Sequence, residues 1–371
     1  MPSLPEPQAL EHSDRLQALI SQAIADRGGW ISFSDFMRLA LYAPGLGYYS
    51  AGSAKFGKEG DFVTAPEISP LFGRTLARFA SEWLTEAPNI MELGAGTGKL
   101  AYDLLSELGG SPVNYFILEV SADLRSRQQE TLKGFAVTWL ETLPEQFEGI
   151  IIANEVLDAV PFHVVCWKES GIDERGVCLK EGRFEWRDVP LREGRLYDAA
   201  REIDVQPGYV SEIQLEAQAL VARLGLILKR GAMLFIDYGF GRREYYHPQR
   251  SQGTLMCHYR HRAHGDPFFL PGLQDITTHI DFSAIAEAGI DAGLKFIGYA
   301  NQAHFLINCG ITELLGRVSP DEPQIYLPLS SGLQRLVSPS EMGELFKVMG
   351  FSRESAVISS CFSLGDKSRL L

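Results

Sequence analysis

The sequence lacks paired cysteines, long apolar runs and an excess of basic residues, and each absence excludes a class of protein. Its five cysteines are an odd number and form no CxxC pair, so we expect reduced thiols rather than a disulfide framework or a zinc ribbon. The longest apolar runs, such as AMLFI at 232–236, are far shorter than the roughly 18 residues that a membrane-spanning helix needs. The sequence therefore predicts a soluble protein without a membrane segment.

The net charge and the N-terminal composition predict the kind of partner and the cellular location. A net charge of −13 disfavours nucleic acid as a partner, although residues 241–262 hold five arginines and a single acidic residue. The first residues, MPSLPEPQALEHSD, show neither a basic leader with an apolar stretch nor an Arg-rich amphipathic pattern. We therefore expect a cytoplasmic location.

Short apolar runs that alternate with helical patterns predict an α/β fold. The predicted strands, rich in Ile, Leu and Phe, lie at 89–93, 114–120, 135–140, 149–154 and 232–239. The predicted helices lie at 98–108, 122–133 and 210–229. Strands that are apolar on both faces and separated by helices indicate a mostly parallel sheet covered on both sides, which is a doubly wound domain.

Two segments depart from this alternation. Residues 1–80 contain two predicted helices, with Ser34 as the expected N-cap of the second, and then a long glycine-rich segment. Residues 162–208 alternate polar and apolar positions, as an antiparallel insertion does. We predict an N-terminal helical and lid region at 1–80, and a main domain at 81–371 that carries an inserted β subdomain at about 162–208.

The glycine-rich segment is interpreted as a lid over the ligand, with a structural plug as the alternative. Gly57 and Gly60 would act as hinges, and Asp61, Thr64 and Glu67 supply polar groups. A lid would exclude water from the site where it closes.

The stretch MELGAGTGKL predicts a cofactor site at a strand-to-helix junction. Gly94, Gly96 and Gly98 form a GxGxG loop, in which glycines let the backbone approach a ligand closely. A dinucleotide fingerprint would need its third glycine at position 99, which is Lys99. The spacing therefore favours S-adenosylmethionine, which has no pyrophosphate, and Glu92 at the strand end can face its ammonium group.

Two later acidic positions extend the predicted cofactor site. Glu119 ends the second strand, where a carboxylate can accept hydrogen bonds from both ribose hydroxyls. It could instead only precede the helix capped by Ser121. Glu141 follows the third strand, where the adenine is expected, although a polar loop without ligand contact explains it equally well.

Long motifs in the chain are similar to those of one known family. The stretches GYYSAGSAKFGKEGDFVTAPEIS, ELGAGTGKLAYDLL, ANEVLDAVP, GTLMCHYRHRAHGDPFFLPGLQDITTHIDF and MGELFKVMGF carry the resemblance. The chain resembles, over nearly its whole length, the MidA family of S-adenosylmethionine-dependent methyltransferases. This resemblance implies a class I methyltransferase fold and methylation of an arginine in a protein, with a subunit of the complex I peripheral arm as the mitochondrial substrate.

The expected reaction site follows the fourth strand, in IIIANEVLDAVP. Asn154 is expected to contact the cofactor, while Glu155 and Asp158 resemble the paired acids of arginine methyltransferases. Such acids orient a guanidinium by forked hydrogen bonds. Alternatively, Asp158 caps the next turn, and Asn154 could belong to the Asn-Pro-Pro-aromatic motif of amino methyltransferases, whose prolines are absent here.

A second candidate catalytic group follows the fifth strand, in DITTHIDF. His279 could relay the proton released after transfer or hold an acid in place, while Asp281 is expected to cap the helix that follows. The predicted catalytic set is therefore Glu155, Asp158 and His279.

The histidine-rich stretch CHYRHRAHGD at 257–266 raises the question of a metal site. Its histidines recur every third residue, a spacing that suits neither one face of a strand nor a helical zinc site. We expect no metal there, and a roof over the substrate pocket in which Arg260 and Arg262 pair with acids. Two rival functions stay open: an RNA or small-molecule methyltransferase, and an assembly factor that binds the cofactor without turnover.

Overall fold

The computed structural model describes residues 5–51 and 64–371. Its helices are α1 (Pro7–Asp26), α2 (Phe33–Tyr42), α3 (Ala65–Ile68), α4 (Pro70–Trp83), α5 (Lys99–Leu108), α6 (Ala122–Thr131), α7 (Arg195–Arg201), α8 (Leu215–Ile227), α9 (Arg242–Tyr245), α10 (Phe282–Asp291), α11 (Gln302–Asn308), α12 (Ile311–Leu315), α13 (Pro323–Val337) and α14 (Met342–Leu345). Its strands are β1 (Ile31–Ser32), β2 (Asn89–Leu93), β3 (Asn114–Leu118), β4 (Val137–Leu140), β5 (Phe147–Asn154), β6 (His163–Lys168), β7 (Gly171–Lys180), β8 (Arg183–Pro190), β9 (Val210–Ile213), β10 (Leu228–Phe240), β11 (Met256–Tyr259), β12 (Arg262–His264), β13 (Asp275–Thr277), β14 (Ile280–Asp281), β15 (Lys295–Asn301) and β16 (Phe346–Arg353).

The central sheet has the strand order β15-β16-β10-β5-β2-β3-β4. Its strands β10, β5, β2, β3 and β4 are parallel, and β16 pairs antiparallel with both β10 and β15. The chain moves outward from β2 to β4 and then returns to β5 on the other side of β2. Ligands of doubly wound sheets bind at the carboxyl ends of the strands beside such a reversal, so the fold itself places a crevice at the ends of β2 and β5.

Alternate residues of the inner strands enter two separate hydrophobic cores. Ile150 and Ile152 of β5 pack in one core with α4 and α5, and Ile151 and Ala153 pack in the other with α8 and α10. Burial of each isoleucine side chain contributes about 1.5–3 kcal/mol. The predicted sheet, apolar on both faces and mostly parallel, is therefore present.

A second sheet combines the insertion with the N-terminal region. It has the order β1-β7-β6-β9, with β8 paired to β7. A third core joins α1 and α2 to this sheet through Leu16, Ile20, Phe36, Phe162 and Val164. The N-terminal helices are therefore attached to the inserted sheet.

The packing of the structure departs from two of the predicted limits, the one at residue 80 and the one at about residue 208. Helix α4 crosses the predicted limit at residue 80, and its residues Leu71, Phe72 and Leu76, which precede that limit, pack in the core of the central sheet. The inserted sheet continues past residue 208, because β9 pairs with β6.

Three local expectations are corrected by the structure. The predicted helix at 210–229 begins only at Leu215, because residues 210–213 form a strand instead. Ser32 rather than Ser34 caps α2, since its side chain accepts a hydrogen bond from the Asp35 backbone N–H at 3.1 Å. Cys309 and Cys361 form a disulfide between residues 52 positions apart, a pairing that sequence spacing alone did not indicate.

The helices that the structure describes all lie within residues 5–51 and 64–371. None of them combines the length and the apolar character that crossing a bilayer requires.

Candidate functional site

A cavity of about 480 Å³ lies at the carboxyl ends of β2 and β5. One part of its wall is the glycine loop with Glu92 and Glu119. Another part consists of Asn154 at the end of β5 with Glu155 and Asp158 after it, and further side chains come from the N-terminal region and from β10, β11 and β13. The predicted cofactor and reaction residues therefore meet in one cavity, with the exception of Gly98 and Glu141.

The three glycines of the loop adopt a left-handed backbone conformation. Gly94, Gly96 and Gly98 have φ values of 60°, 53° and 83°, which lie in the left-handed region favoured by glycine. A Cβ built on Gly96 meets no atom within 4 Å, although the residue lines the cavity. The loop thus presents open backbone to the cavity, as a cofactor cradle requires.

Two buried carboxylates flank this loop. Glu92 accepts a hydrogen bond from the Tyr115 hydroxyl at 2.6 Å, and burial raises the pKa of Glu92 to about 7. Glu119 accepts hydrogen bonds from the Ser121 backbone N–H and from the Gln128 side-chain amide, both at 2.9 Å, and burial raises its pKa. Each Glu119 oxygen retains a lone pair for a further donor, such as a ribose hydroxyl.

Gln128 connects the glycine loop to Glu119. It was not among the predicted site residues. Its side chain is fully buried and donates at 2.9 Å both to the Gly96 carbonyl and to Glu119. Its amide oxygen accepts a hydrogen bond from Trp139 Nε1 at 2.9 Å. The polar sequence of α6 gives no signal that separates Gln128 from its exposed neighbour Gln129, because burial depends on how α6 docks.

Replacing Gln128 by leucine is expected to weaken S-adenosylmethionine binding about tenfold, or roughly 1.4 kcal/mol. The change leaves the Gly96 carbonyl and the Glu119 carboxylate without this donor. Titration calorimetry with purified protein measures the effect, and Gln129→Leu is the matched control because Gln129 is exposed on the same helix. Equal affinities in the two variants would contradict a positioning role for Gln128.

Glu155 follows the last residue of β5 in a constrained conformation. Its φ of 53° lies in the left-handed region, which is uncommon for residues other than glycine. Its Oε1 accepts hydrogen bonds from the Asn154 amide at 3.2 Å and from the Ala65 backbone N–H at 3.4 Å. Burial, followed by the nearby charge of Asp158, raises the pKa of Glu155 to about 8.

Asp158 is fixed by two residues at the end of β10. The Tyr238 hydroxyl donates to Asp158 Oδ2 at 2.5 Å, and the backbone N–H groups of Leu157 and Asp158 donate to Asp237 Oδ2 at 3.0 and 3.2 Å. Burial raises the pKa of Asp158 to about 6. Within the described residues, its Oδ1 is a buried acceptor without a hydrogen-bond donor.

His279 lines the cavity between aromatic rings. Its ring stacks on Phe240 with a centroid distance of 5.2 Å and meets Tyr238 edge-on at 5.1 Å. Burial, followed by the positive charges of Arg250 and Lys347, lowers the pKa of His279 to about 4. The imidazole is therefore neutral near pH 7. The helix that follows begins as expected, because Asp281 accepts hydrogen bonds from the Ser283 and Ala284 backbone N–H groups.

Tyr42, Tyr49 and Asp275 also line the cavity, and none of them was predicted as a site residue. Tyr49 donates to Asp275 Oδ1 at 3.0 Å and to its Oδ2 at 3.1 Å. Tyr42 donates to the Ala159 carbonyl at 2.9 Å and stacks on Tyr49 with a centroid distance of 5.5 Å. The N-terminal region thus supplies two aromatic side chains to the cavity. Tyr49 lies in one of the stretches that carry the family resemblance, but neither tyrosine was predicted as a site residue.

The structure does not bring Glu141 to the site. Its side chain is exposed and does not line the cavity, because it lies in the turn after β4, beyond the last residue of that strand. Of the predicted lid, Thr64 and Glu67 line the cavity, whereas Gly57, Gly60 and Asp61 lie outside the described residues.

The histidine-rich stretch forms a hairpin rather than a loop. Strands β11 and β12 are joined by Arg260 and His261, both with positive φ, and His258 lines the cavity. Arg260 lies over the Tyr259 ring at 5.3 Å, and Arg262 is exposed. Among residues 5–51 and 64–371, no group of three or more His, Cys, Asp or Glu side chains is arranged to hold a metal ion.

Comparisons with known proteins agree with this geometry. Residues 71–300 match the family model described as "Putative S-adenosyl-L-methionine-dependent methyltransferase". The structure is also similar to a crystal structure from Burkholderia thailandensis, described as a "likely methyl transferase" bound to S-adenosyl-homocysteine. The identity is 49%, the match covers 100% of both chains, and the TM-score is 0.95. The predicted class I fold is confirmed.

Curated relatives carry the name "Protein arginine methyltransferase NDUFAF7, mitochondrial". The protein from Danio rerio is 30% identical, with 90% of this chain and 85% of the relative covered. The protein from Homo sapiens is 27% identical, with 86% and 79% covered. The predicted cytoplasmic location is wrong, since these relatives are named mitochondrial proteins and the prediction rested on the composition of the first residues alone.

The family match and the relatives bear out both the enzyme class and the cofactor that the glycine loop predicted. The loop, with its open face at Gly96 and the carboxylate of Glu119 beside it, fits the group that this class uses. The chain belongs to the MidA family of S-adenosylmethionine-dependent methyltransferases.

Proposed function

We propose that this methyltransferase transfers its methyl group to an arginine side chain of a protein partner. The observation that carries the proposal is the pair of buried carboxylates, Glu155 and Asp158, in the wall of the cavity that also contains the glycine loop. An acidic wall attracts a cationic acceptor, and a planar guanidinium offers several N–H donors to paired carboxylates. The curated relatives named as protein arginine methyltransferases support the same assignment.

The cofactor contacts are proposed on the same geometry. Gly94 and Gly96 would provide the backbone against which the cofactor lies, Gly98 would close the turn into α5, and Glu119 would accept the ribose hydroxyls of the cofactor. Glu92 and Asn154 would face its amino-acid end. When bound, S-adenosylmethionine supplies a sulfonium methyl group that is already activated for transfer.

The residues of the chain would act on the acceptor nitrogen. A guanidinium has a pKa above about 12, so its nitrogens are poor nucleophiles until they are oriented and their charge is localised. Glu155 and Asp158 would hold the guanidinium by hydrogen bonds, and Tyr238 keeps Asp158 in place. Positioning of this kind is worth several orders of magnitude in rate.

Transfer leaves one proton too many on the methylated nitrogen, and two groups could take it. Glu155 has a raised pKa near 8, which makes its carboxylate a better base than an ordinary glutamate. His279 is neutral at pH 7 and is the alternative acceptor, although its pKa near 4 makes it the weaker base. We therefore propose Glu155 as the proton acceptor, with His279 as the alternative acceptor.

The proposal is tested by identifying the amino acid that receives the methyl group. Extract from cells that lack the gene is incubated with purified enzyme and isotopically labelled S-adenosylmethionine, and the hydrolysed protein fraction is analysed by mass spectrometry. We expect labelled methylarginine with the enzyme and none in a parallel incubation without it. Label in nucleic acid, in small molecules or in another amino acid would overturn the arginine assignment. No label in any fraction would support a binding role without turnover.

A further inference from the structure

A third carboxylate, Asp275, enters the cavity from an element separate from Glu155 and Asp158. Asp275 is the first residue of β13, which pairs with β11 so that Asp275 lies across from His258. Both residues line the cavity, and Asp275 is only 2% exposed. The hairpin formed by the histidine-rich stretch thus brings a buried acid to the acceptor part of the site.

Tyr49 holds this carboxylate in one orientation. Its hydroxyl lies 3.0 and 3.1 Å from the two Asp275 oxygens, and the Ile276 backbone N–H donates to Oδ1 at 3.0 Å. The Tyr49 ring is in turn stacked on Tyr42, whose hydroxyl is bound to the carbonyl of Ala159, next to Asp158. One chain of contacts therefore connects Asp275 to the loop that carries the paired acids.

Asp158 and Asp275 both lie close enough to Glu155 to act on its carboxyl group. The charge of Asp275 contributes, after burial and after Asp158, to the raised pKa of Glu155. The charges of Asp275 and Asp158 likewise contribute, after burial, to the raised pKa of Tyr42. The acceptor part of the cavity therefore has negative charge supplied by two different elements of the fold.

We propose that Asp275, held by Tyr49, is a specificity-determining residue through which the site selects a cationic guanidinium over a neutral group of the same shape. This inference rests on the proposed arginine acceptor. Glu155 and Asp158 can donate or accept hydrogen bonds when protonated, so a neutral urea group could still satisfy them. The negative charge that Asp275 places beside Glu155 adds an electrostatic requirement that a neutral acceptor does not meet, because discrimination is a difference between two binding free energies.

The test compares two peptides that differ only in charge. Acetyl-Gly-Arg-Gly-amide carries the guanidinium, and acetyl-Gly-citrulline-Gly-amide carries a neutral urea of nearly the same shape. Binding of each to protein saturated with S-adenosyl-homocysteine is measured by calorimetry. We expect the wild type to prefer the arginine peptide by at least about tenfold and Asp275→Asn to reduce the preference to about twofold, with unchanged S-adenosyl-homocysteine affinity.

Two further variants keep the result interpretable. Asp266→Asn removes the same charge from an exposed position in the same part of the chain, and it should retain the wild-type preference. Tyr49→Phe keeps the ring and removes the hydroxyl that orients Asp275, and it should lower the preference about threefold even if Asp275→Asn does not fold.

The outcomes separate the two proposals. A wild type that binds both peptides alike, or neither of them, would overturn the arginine acceptor itself. A wild type that prefers arginine, combined with an undiminished preference in Asp275→Asn, would leave the arginine acceptor in place and refute the role of Asp275. If Asp275→Asn does not fold, an undiminished preference in Tyr49→Phe refutes it.

Discussion

Replacing Gly96 by valine is expected to weaken S-adenosylmethionine binding by at least about 100-fold, or roughly 2.7 kcal/mol. The expected loss has a steric cause. A Cβ at this position meets no protein atom within 4 Å, so the added side chain would extend into the cavity rather than disturb the core. Titration calorimetry with the cofactor measures the loss directly.

A matched variant separates occlusion of the cavity from backbone strain. Gly110 also has a positive φ, 84° against 53° for Gly96, and its Cβ would likewise meet nothing within 4 Å. It lies beyond the other end of α5 and does not line the cavity. Gly110→Val therefore carries a similar cost of about 1–2 kcal/mol for a left-handed residue but should bind the cofactor normally. Similar cofactor affinities in the two variants would show that Gly96 is not part of the cradle.

Replacing Glu155 by glutamine is expected to lower kcat by about 1000-fold, since it removes both an orienting carboxylate and the proposed proton acceptor. The substitution preserves the size of the side chain and its capacity to accept a hydrogen bond from Ala65 or Asn154. Steady-state rates on a labelled arginine substrate measure the effect. Glu148→Gln is the control, because Glu148 is an exposed acid on the same strand. A rate within about tenfold of the wild type would exclude Glu155 as the base.

The pH profile of the wild type adds an independent readout of the same residue. Both acids must be ionised to orient a guanidinium, and their pKa values are raised to about 8 for Glu155 and about 6 for Asp158. The ratio kcat/KM reports the free enzyme, so it should rise with pH and level off only above pH 8. In Glu155→Gln the inflection of kcat/KM near pH 8 should disappear.

The free energy of unfolding should fall as the pH rises, in the direction opposite to kcat/KM. Folding raises the pKa of Glu155 from its ordinary value of 4.5 to about 8, so the protonated form is favoured in the folded state. The resulting stabilisation is complete below about pH 4.5 and is lost as the pH rises through 8. The unfolding temperature of the wild type should therefore fall over this range, and it should fall less in Glu155→Gln. A profile that is identical in both proteins would contradict the buried, protonated state of Glu155.

The cofactor side of the site was predictable because its signals are local in sequence. The glycine loop, the strand that precedes it and Glu119 lie within a short stretch, and glycine is required wherever φ is positive and a ligand approaches the backbone. The five predicted strands of the central sheet are also present. They could be predicted because a run that is apolar on both faces indicates a strand buried on both sides.

The contacts of Tyr42, Tyr49 and Asp275 on the acceptor side were not predictable, because they depend on pairings between residues that are distant in sequence. Tyr49 and Asp275 are 226 residues apart, and although both lie in stretches that carry the family resemblance, neither local sequence indicates that the two side chains meet. Strand β9 was predicted as helix for a related reason: its four residues become a strand only by pairing with β6. Glu141 was predicted from its distance to a strand end, which does not determine the direction in which a turn places its side chain.

The unequal sequence separations within the cavity have a consequence for how the site forms. The contacts that shape the cofactor side join residues that are close along the chain: 32 positions between Gln128 and Gly96, and 9 between Gln128 and Glu119. The contacts of the acceptor side span 117 positions from Tyr42 to Ala159 and 226 from Tyr49 to Asp275. Because closing a longer loop costs more chain entropy, we expect the folding chain to complete its cofactor pocket first and its acceptor pocket last.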